Sequence, residues 1–173
     1  METNENRTGK YAFTIVVPVY NEEESISQLE EKLRSFLPHS LYKTAVLFVN
    51  DGSTDQSGSR IQKICERNND FFYLTLQQNG GLSAALKAGF DYCFSEYVGY
   101  MDADMQTDAE DFNLLLPHLA THAFVTGITR RCCVNTSAIN PPHQSKQVSA
   151  YFMSGSITTV RRKITIDEAS ADR

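Results

Sequence analysis

The sequence predicts an α/β protein with a Rossmann-like, mostly parallel sheet and helices on both of its faces. Short apolar runs alternate along the chain with longer segments whose apolar residues recur at helical spacing. Four of the apolar runs are followed by clusters of polar residues. Alternation at this spacing builds right-handed βαβ units, and ligands bind beyond the carboxyl ends of the strands in such sheets. We therefore expect the four polar clusters to meet at one edge.

The size and charge of the chain limit the possible functions. Its 173 residues fit one domain, predicted to span residues 11–173, after a disordered lead-in at residues 1–10. The formal net charge of −5 argues against nucleic acid as a partner. The chain has no long apolar run, no signal-peptide pattern and no Cys-x-x-Cys pair, so the sequence predicts a reducing, cytoplasmic setting.

The first strand and helix set the pattern for the rest. Residues 13–19 form a β-branched run closed by Pro18 and are predicted to be a buried strand. A helix is predicted to follow, with Asn21 as its cap and its end near residue 37. Its apolar face consists of Ile26, Leu29, Leu33 and Phe36.

The later elements follow from the same two patterns. Helix-capping residues are expected at Asp55 and Asp108, and residues 131–146, which contain Pro141 and Pro142, are predicted to be a mobile loop. Further strands are predicted at residues 44–49, 71–76, 97–101 and 123–127. Further helices are predicted at residues 55–67, 83–94, 108–119 and 145–164.

The polar cluster after the fourth strand contains Asp102, Asp104 and Gln106. If the strand continues in extended form, alternate side chains lie on one side, and the three can direct oxygens at one point. Oxygen donors of this kind suit Mg²⁺ or Mn²⁺. An acidic turn that caps the next helix is the alternative.

The four polar clusters are Val17-Pro18-Val19-Tyr20-Asn21-Glu22, Asn50-Asp51-Gly52-Ser53, Asn79-Gly80-Gly81 and Asp102-Ala103-Asp104-Met105-Gln106. Together they resemble the inverting family 2 glycosyltransferases, which have a GT-A fold. The resemblance is clear over residues 13–127 and weaker over 145–172. The third cluster and the basic helix end at residues 161–163 are most similar to the polyprenol-phosphate branch, which includes dolichol-phosphate and undecaprenyl-phosphate glycosyltransferases.

The resemblance implies that a nucleotide-sugar binds with its base and ribose against the first two strand ends. Pro18, Tyr20 and Glu22 would then flank the nucleoside, and Asp51 would accept a hydrogen bond from the base. A turn aspartate that caps a helix is the alternative for Asp51. Gly81 would let the backbone approach the donor, or would simply form a turn.

For the reacting end of the donor, the resemblance implies a divalent metal, Mg²⁺ or Mn²⁺, held by Asp102, Asp104 and Gln106. Asp102 would also lie near the ribose, so it belongs to the nucleotide-sugar site as well, and both aspartates are expected to be catalytic. Arg131, or its neighbour Arg130, would approach a phosphate unless this basic pair is only solvated. Asp172 would be the acceptor-side catalytic carboxylate.

The implied activity is inverting transfer of a sugar from a UDP-sugar or GDP-mannose to a polyprenyl phosphate at the inner face of a membrane. The basic helix end would then face anionic lipid headgroups, or only complement the helix dipole. Two alternatives remain open: transfer to a saccharide hydroxyl, and a nucleotide-sugar-binding module without transfer activity. Members of this branch extend well past residue 173, so the acceptor region is expected to be truncated. The sequence does not indicate the sugar, the base or the oligomeric state.

Overall fold

A computed structural model describes residues 2–3, 10–120, 122, 125 and 153–154. These residues form a six-stranded sheet in the order β1-β4-β3-β2-β5-β6. The strands are β1 (Glu2–Thr3), β2 (Phe13–Val19), β3 (Thr44–Asn50), β4 (Phe71–Thr75), β5 (Tyr97–Tyr100) and β6 (Met153–Ser154).

The four central strands are parallel, and the two short edge strands are antiparallel to their neighbours. Strand β2 lies between β3 and β5, with Val16 opposite both Leu47 and Tyr100. The carboxyl ends of β2, β3, β4 and β5 therefore meet at one edge, as the sequence predicts. Strands β2 and β3 are buried along almost their whole length, which explains their near-continuous apolar sequences.

Helices cover both faces of the sheet and enclose two hydrophobic layers. The helices are α1 (Ile26–Phe36), α2 (Ser57–Arg67), α3 (Leu82–Tyr92) and α4 (Asp111–Leu115). One layer packs α1, α2 and α4 against side chains such as Phe13 and Phe48. The other packs α3 against Val16 and Leu47. Helix α3 lies very close to the sheet, since a Cβ at Gly89 would be 2.6 Å from Val16 Cγ1.

The predicted strand boundaries are correct to within one residue for β2 to β5. The helix predicted at residues 108–119 is shorter: α4 ends at Leu115 and continues as a 3₁₀ helix over Leu116–Ala120. Pro117 accounts for this change, since it lacks the N–H that an α-helical bond needs. Helix α1 begins at Ile26 with Ser25 at its N-cap position, and Asn21, which adopts φ 54°, lies outside the helix.

Two local predictions are corrected at the edges of the sheet. Glu2–Thr3, assigned from the sequence to a disordered lead-in, pair with β4 as a strand. Met153–Ser154, assigned to a helix, pair with β5. In both places a short segment pairs with a strand, β4 or β5, that would otherwise lie at the edge of the sheet with unpaired backbone groups. Local periodicity in the sequence does not indicate such pairing. The rest of the helix predicted at 145–164, the loop at 131–146 and most of the strand predicted at 123–127 lie outside the described residues.

Within the described part of the chain, no helix has the length and apolar character that crossing a bilayer requires.

Candidate functional site

A cleft of ≈ 320 Å³ opens at the carboxyl ends of the central strands. Seven residues that the sequence predicts for the site line it: Pro18, Tyr20, Glu22, Asp51, Gly81, Asp102 and Asp104. Five further lining residues have no individual role predicted from the sequence: Val19, Asn79, Leu82, Ala85 and Ala103. The cleft therefore collects side chains from all four polar clusters.

The loop after β2 is joined to the loop after β3 through Asn21. The Asn21 side-chain oxygen accepts a hydrogen bond from the Thr54 backbone N–H at 2.8 Å, and the Asn21 N–H donates to Ser53 Oγ at 3.1 Å. Asn21 is therefore a tie between loops and not the helix cap that the sequence predicts. Its left-handed conformation is one that asparagine tolerates better than most residues, and it directly follows Tyr20, which is 47% exposed in the cleft.

The next residues of this loop bind the start of α2. The Glu22 N–H donates to Ser57 Oγ at 2.9 Å, and the Glu23 N–H donates to Asp55 Oδ2 at 3.2 Å. In return, Glu23 Oε2 accepts from the Gln56 N–H at 2.9 Å. Gln56, and not Asp55 as the sequence predicts, is at the N-cap position of α2, although the other oxygen of Asp55 accepts from the Ser57 N–H at 2.9 Å. Burial acts to raise the pKa of Asp55, but hydrogen bonds from Ser57 and Glu23 outweigh it and lower the pKa.

Asp51 joins the loop after β3 to the loop after β4. It is 3% exposed, and its two carboxylate oxygens accept from the backbone N–H groups of Gly80 at 2.9 Å and Gly81 at 2.8 Å. Gly81 is the residue before α3 and adopts φ 81° and ψ 168°, a conformation essentially restricted to glycine. Asp51 therefore holds the segment that begins α3, whether or not it also contacts a ligand.

Gly52 brings the same two loops into backbone contact. It adopts φ 66°, and a Cβ there would lie 2.6 Å from the Asn79 nitrogen and 2.6 Å from the Gln78 carbonyl carbon. Only glycine permits this approach. The cross-linked loops, as we call residues 20–25, 51–56 and 76–81, therefore form one hydrogen-bonded and closely packed wall of the cleft.

The acidic loop, residues 101–106, forms the opposite part of the lining. Strand β5 ends at Tyr100, so Asp102 and Asp104 lie beyond it, yet both line the cleft. Burial, and then the charge of Asp104, raise the pKa of Asp102. Asp102 is half-buried and Asp104 is exposed.

Gln106 is placed differently from the two aspartates. The chain turns at Met105, which has φ 64°, and the Gln106 N–H donates to Asp104 Oδ1 at 3.0 Å. Gln106 is exposed and is not one of the residues that line the cleft. The extended geometry on which its predicted alignment depends thus ends before this residue, and its role as a metal ligand stays a prediction.

The donor set of the cleft fits a hard divalent cation. Glu22, Asp51, Asp102 and Asp104 all line it, and no lysine or arginine is among its described lining residues. Asp102 and Asp104 provide two neighbouring carboxylates, which suit Mg²⁺ or Mn²⁺ when phosphate oxygens and water complete the coordination. Among the described residues no group of three His, Cys, Asp or Glu side chains could hold a metal by itself.

Arg131 and Asp172 lie outside the described residues, so their roles stay predictions. Lys87 is exposed on α3 and pairs with Asp91. Among the lining residues missed by the sequence reading, Leu82 is 51% exposed, and its position directly after Gly80 and Gly81 was the available signal.

Comparisons with known proteins identify the family of this chain. The model of glycosyl transferase family 2 matches residues 14–170. Over 104 residues the chain is 35% identical to the undecaprenyl-phosphate 4-deoxy-4-formamido-L-arabinose transferase of Pseudomonas savastanoi pv. phaseolicola, covering 60% of this chain and 31% of that protein. Over 97 residues it is 37% identical to the poly-beta-1,6-N-acetyl-D-glucosamine synthase of Staphylococcus aureus, covering 56% of this chain and 23% of that protein. The chain thus spans a third or less of the length of these two relatives.

A solved structure shares the fold. The S. aureus TarS 1–349 complex with UDP-GlcNAc superposes with a TM-score of 0.53 at 24% sequence identity, covering 75% of this chain and 37% of the other. This likeness confirms the predicted GT-A type of α/β fold.

Proposed function

Because this chain belongs to glycosyl transferase family 2, we propose that it takes part in the metal-dependent, inverting transfer of a sugar from a nucleotide-sugar to an acceptor. The acceptor we favour is a polyprenyl phosphate. The observation that carries the proposal is the cleft, where the predicted nucleoside residues and the acidic pair line one space. A single space of this kind suits a ligand with a nucleoside at one end and a diphosphate at the other.

The cross-linked loops are suited to the nucleoside. Tyr20 presents an exposed aromatic ring for contact with a base, beside Pro18 and Val19. Glu22 is held by Ser25, whose hydroxyl donates to Glu22 Oε2 at 2.9 Å, so its carboxylate is positioned to accept a hydrogen bond from the ligand. Nucleoside binding therefore uses a surface that is already formed before the ligand arrives.

The acidic loop is suited to the diphosphate. Four carboxylates in the cleft would repel a diphosphate, so a cation must accompany it. Asp102 and Asp104 would hold a bound Mg²⁺ or Mn²⁺, which supplies charge neutralisation for the leaving diphosphate. In the transfer, the acceptor oxygen forms a bond to the anomeric carbon while the bond from that carbon to the diphosphate oxygen breaks. The nucleoside diphosphate leaves on the opposite side, which inverts the configuration.

The choice of acceptor rests on the relatives. The Pseudomonas relative is named for undecaprenyl phosphate, which supports a lipid phosphate acceptor. Such an acceptor is already anionic and needs less help from a general base than a hydroxyl does. It would place the reaction at the inner face of a membrane. The Staphylococcus relative is named as a polysaccharide synthase, and it favours a saccharide hydroxyl as the second candidate.

Calorimetry and a transfer assay test the proposal. UDP, GDP and dTDP are titrated into the protein with Mn²⁺, Mg²⁺ or EDTA. The corresponding labelled sugars are then offered with undecaprenyl phosphate or an oligosaccharide. We expect metal-dependent binding and transfer to the lipid phosphate. Transfer to the oligosaccharide alone would show that the acceptor is a saccharide hydroxyl and not a lipid phosphate. Metal-dependent binding without any transfer would indicate a donor-binding module.

The aspartate pair is tested by substitution. Asp104→Ala is expected to abolish metal-dependent nucleotide binding, because it removes the more exposed metal donor, while its far-ultraviolet circular dichroism stays unchanged. Asp91→Asn, which alters an exposed aspartate on α3, is the matched control and should bind as the wild type does. Unchanged nucleotide affinity in Asp104→Ala would show that residues 101–106 are only an acidic turn.

A further inference from the structure

The backbone N–H groups of Gly80 and Gly81 already bind a carboxylate of the protein itself, that of Asp51. Two successive backbone N–H groups that point to one place form an anion-binding nest. Here both point to Asp51, and each of its two oxygens accepts one of them. The side chain comes from the neighbouring loop and is almost completely buried. The Gly81 N–H also donates to Asn79 Oδ1 at 3.2 Å, so both N–H groups are satisfied by the protein and are not available to a phosphate of the donor.

From this geometry we propose that Asp51 is a positioning residue. Its carboxylate occupies the Gly80–Gly81 nest and so fixes the side of the cleft formed by Asn79, Gly81 and Leu82. This inference rests on the proposed function, since the ligand that benefits is the nucleotide-sugar. It differs from direct base recognition by Asp51, which the family resemblance implies.

Three features of the loop support a positioning role. Gly81 adopts φ 81° and ψ 168°, one of several conformations open to glycine, and the shorter of its two N–H contacts is the one to Asp51, at 2.8 Å against 3.2 Å to Asn79 Oδ1. The Gly52 backbone packs against Gln78 and Asn79, which leaves the loop after β4 no room to move toward β3. Charge-assisted hydrogen bonds are also stronger than neutral ones, so Asp51 can hold the turn firmly.

Residue-specific nuclear magnetic resonance tests the role on the free protein. The chain contains one Asn-Gly and one Gly-Gly sequence, so labelling with ¹³C′-Asn and ¹⁵N-Gly identifies Gly80, and labelling with ¹³C′-Gly and ¹⁵N-Gly identifies Gly81. In Asp51→Asn, one acceptor oxygen is replaced by an NH₂ group that faces an N–H. We expect both amide proton signals to move upfield, and the exchange of at least one of them with solvent to become faster. Asp91→Asn should leave both signals unchanged.

Nucleotide affinity, measured well below the unfolding midpoint, decides whether holding the turn matters for binding. We expect Asp51→Asn to weaken the binding of UDP and the binding of GDP by the same factor, about tenfold. A loss confined to one base with unchanged Gly80 and Gly81 signals would overturn the proposal in favour of base recognition. Shifted signals with unchanged affinity would also overturn it, because the contact would then be only structural.

The wild-type protein provides a second test that needs no variant to fold. A positioning residue keeps its contacts when the ligand binds, so the Gly80 and Gly81 amides should remain protected from exchange at saturating UDP and Mn²⁺. Loss of their protection on binding would contradict the proposal, since it would mean that Asp51 leaves the turn for the ligand. If no nucleotide binds the wild type, the proposed function fails, and the free-protein signals still decide whether Asp51 holds the turn.

Discussion

On one side of the cleft, the cross-linked loops satisfy their polar groups with one another; on the other side, the carboxylates of the acidic loop make little use of protein partners. Asn21, Asp51 and Asp55 all accept hydrogen bonds from backbone N–H groups of other loops or of the next helix. Within the described residues, the Asp102 carboxylate has no such bond, and Asp104 accepts one only from the nearby Gln106 N–H.

This difference separates two ways of building a binding site. The cross-linked loops are pre-organised, so the free protein already has the shape that the proposed nucleoside site would need. The acidic loop keeps half-buried and exposed negative charge side by side, which costs stability that the proposed cation would restore. Substitutions in the cross-linked loops should therefore lower the stability of the fold. Substitutions in the acidic loop should impair function and leave stability unchanged or raise it.

Gly52→Ala is expected to have the largest effect on stability. The new Cβ would contact backbone atoms of Gln78 and Asn79 that cannot move aside, and φ 66° disfavours alanine. Together these terms should lower the free energy of unfolding by about 3 kcal/mol, as measured by urea denaturation.

The matched control for Gly52→Ala is Gly58→Ala. It makes the same change in α2, where the Cβ would meet only the Asn50 side-chain amide. Better helix propensity offsets that contact, so a change within about 1 kcal/mol is expected. Equal losses in the two variants would contradict the view that the loops after β3 and β4 are locked together.

Substitutions of Asn21 test the hydrogen bonds between the loops after β2 and β3. They are expected to have an intermediate effect on stability. Asn21→Asp keeps the acceptor oxygen, Asn21→Gly keeps the left-handed backbone but loses the acceptor, and Asn21→Ala loses both. The free energy of unfolding should fall in that order, reaching a loss of about 1.5 kcal/mol in Asn21→Ala. Nucleotide affinity should follow the same order, because Tyr20 is the preceding residue. An Asn21→Gly variant as stable as the wild type would show that the Thr54 contact contributes nothing.

The contrast between the two sides also explains which features the sequence reveals. Polar clusters at strand ends are visible in the sequence, so Tyr20, Asp51 and Asp102 could be assigned to one cleft before the structure was known. The strands could be predicted because their buried, β-branched runs are continuous. These predictions depend only on local pattern and on the rule that parallel strands share their carboxyl edge.

Features that depend on contacts between loops could not be predicted. The partners of Asp51 come from a loop about thirty positions away, so the sequence left its role open between a ligand contact and a turn. The turn at Met105 separates Gln106 from the two aspartates, because a positive φ ends the alternation on which the alignment relied. Asn21 was assigned to a helix cap since asparagine favours both positions, and only the fold distinguishes them.

Asp102→Asn should have the smallest effect, and its sign should be opposite to that of the loop variants. Asp102 is half-buried beside Asp104, and both burial and this neighbouring charge raise its pKa, so its ionised form destabilises the fold at neutral pH. Removing the charge should raise the free energy of unfolding by about 0.5 kcal/mol in EDTA at pH 7. With Mn²⁺ and UDP present, the order should reverse, because the ligands stabilise the wild type and bind the variant weakly. Destabilisation of Asp102→Asn in EDTA would mean that this carboxylate has a structural partner, and the two sides of the cleft would then be built alike.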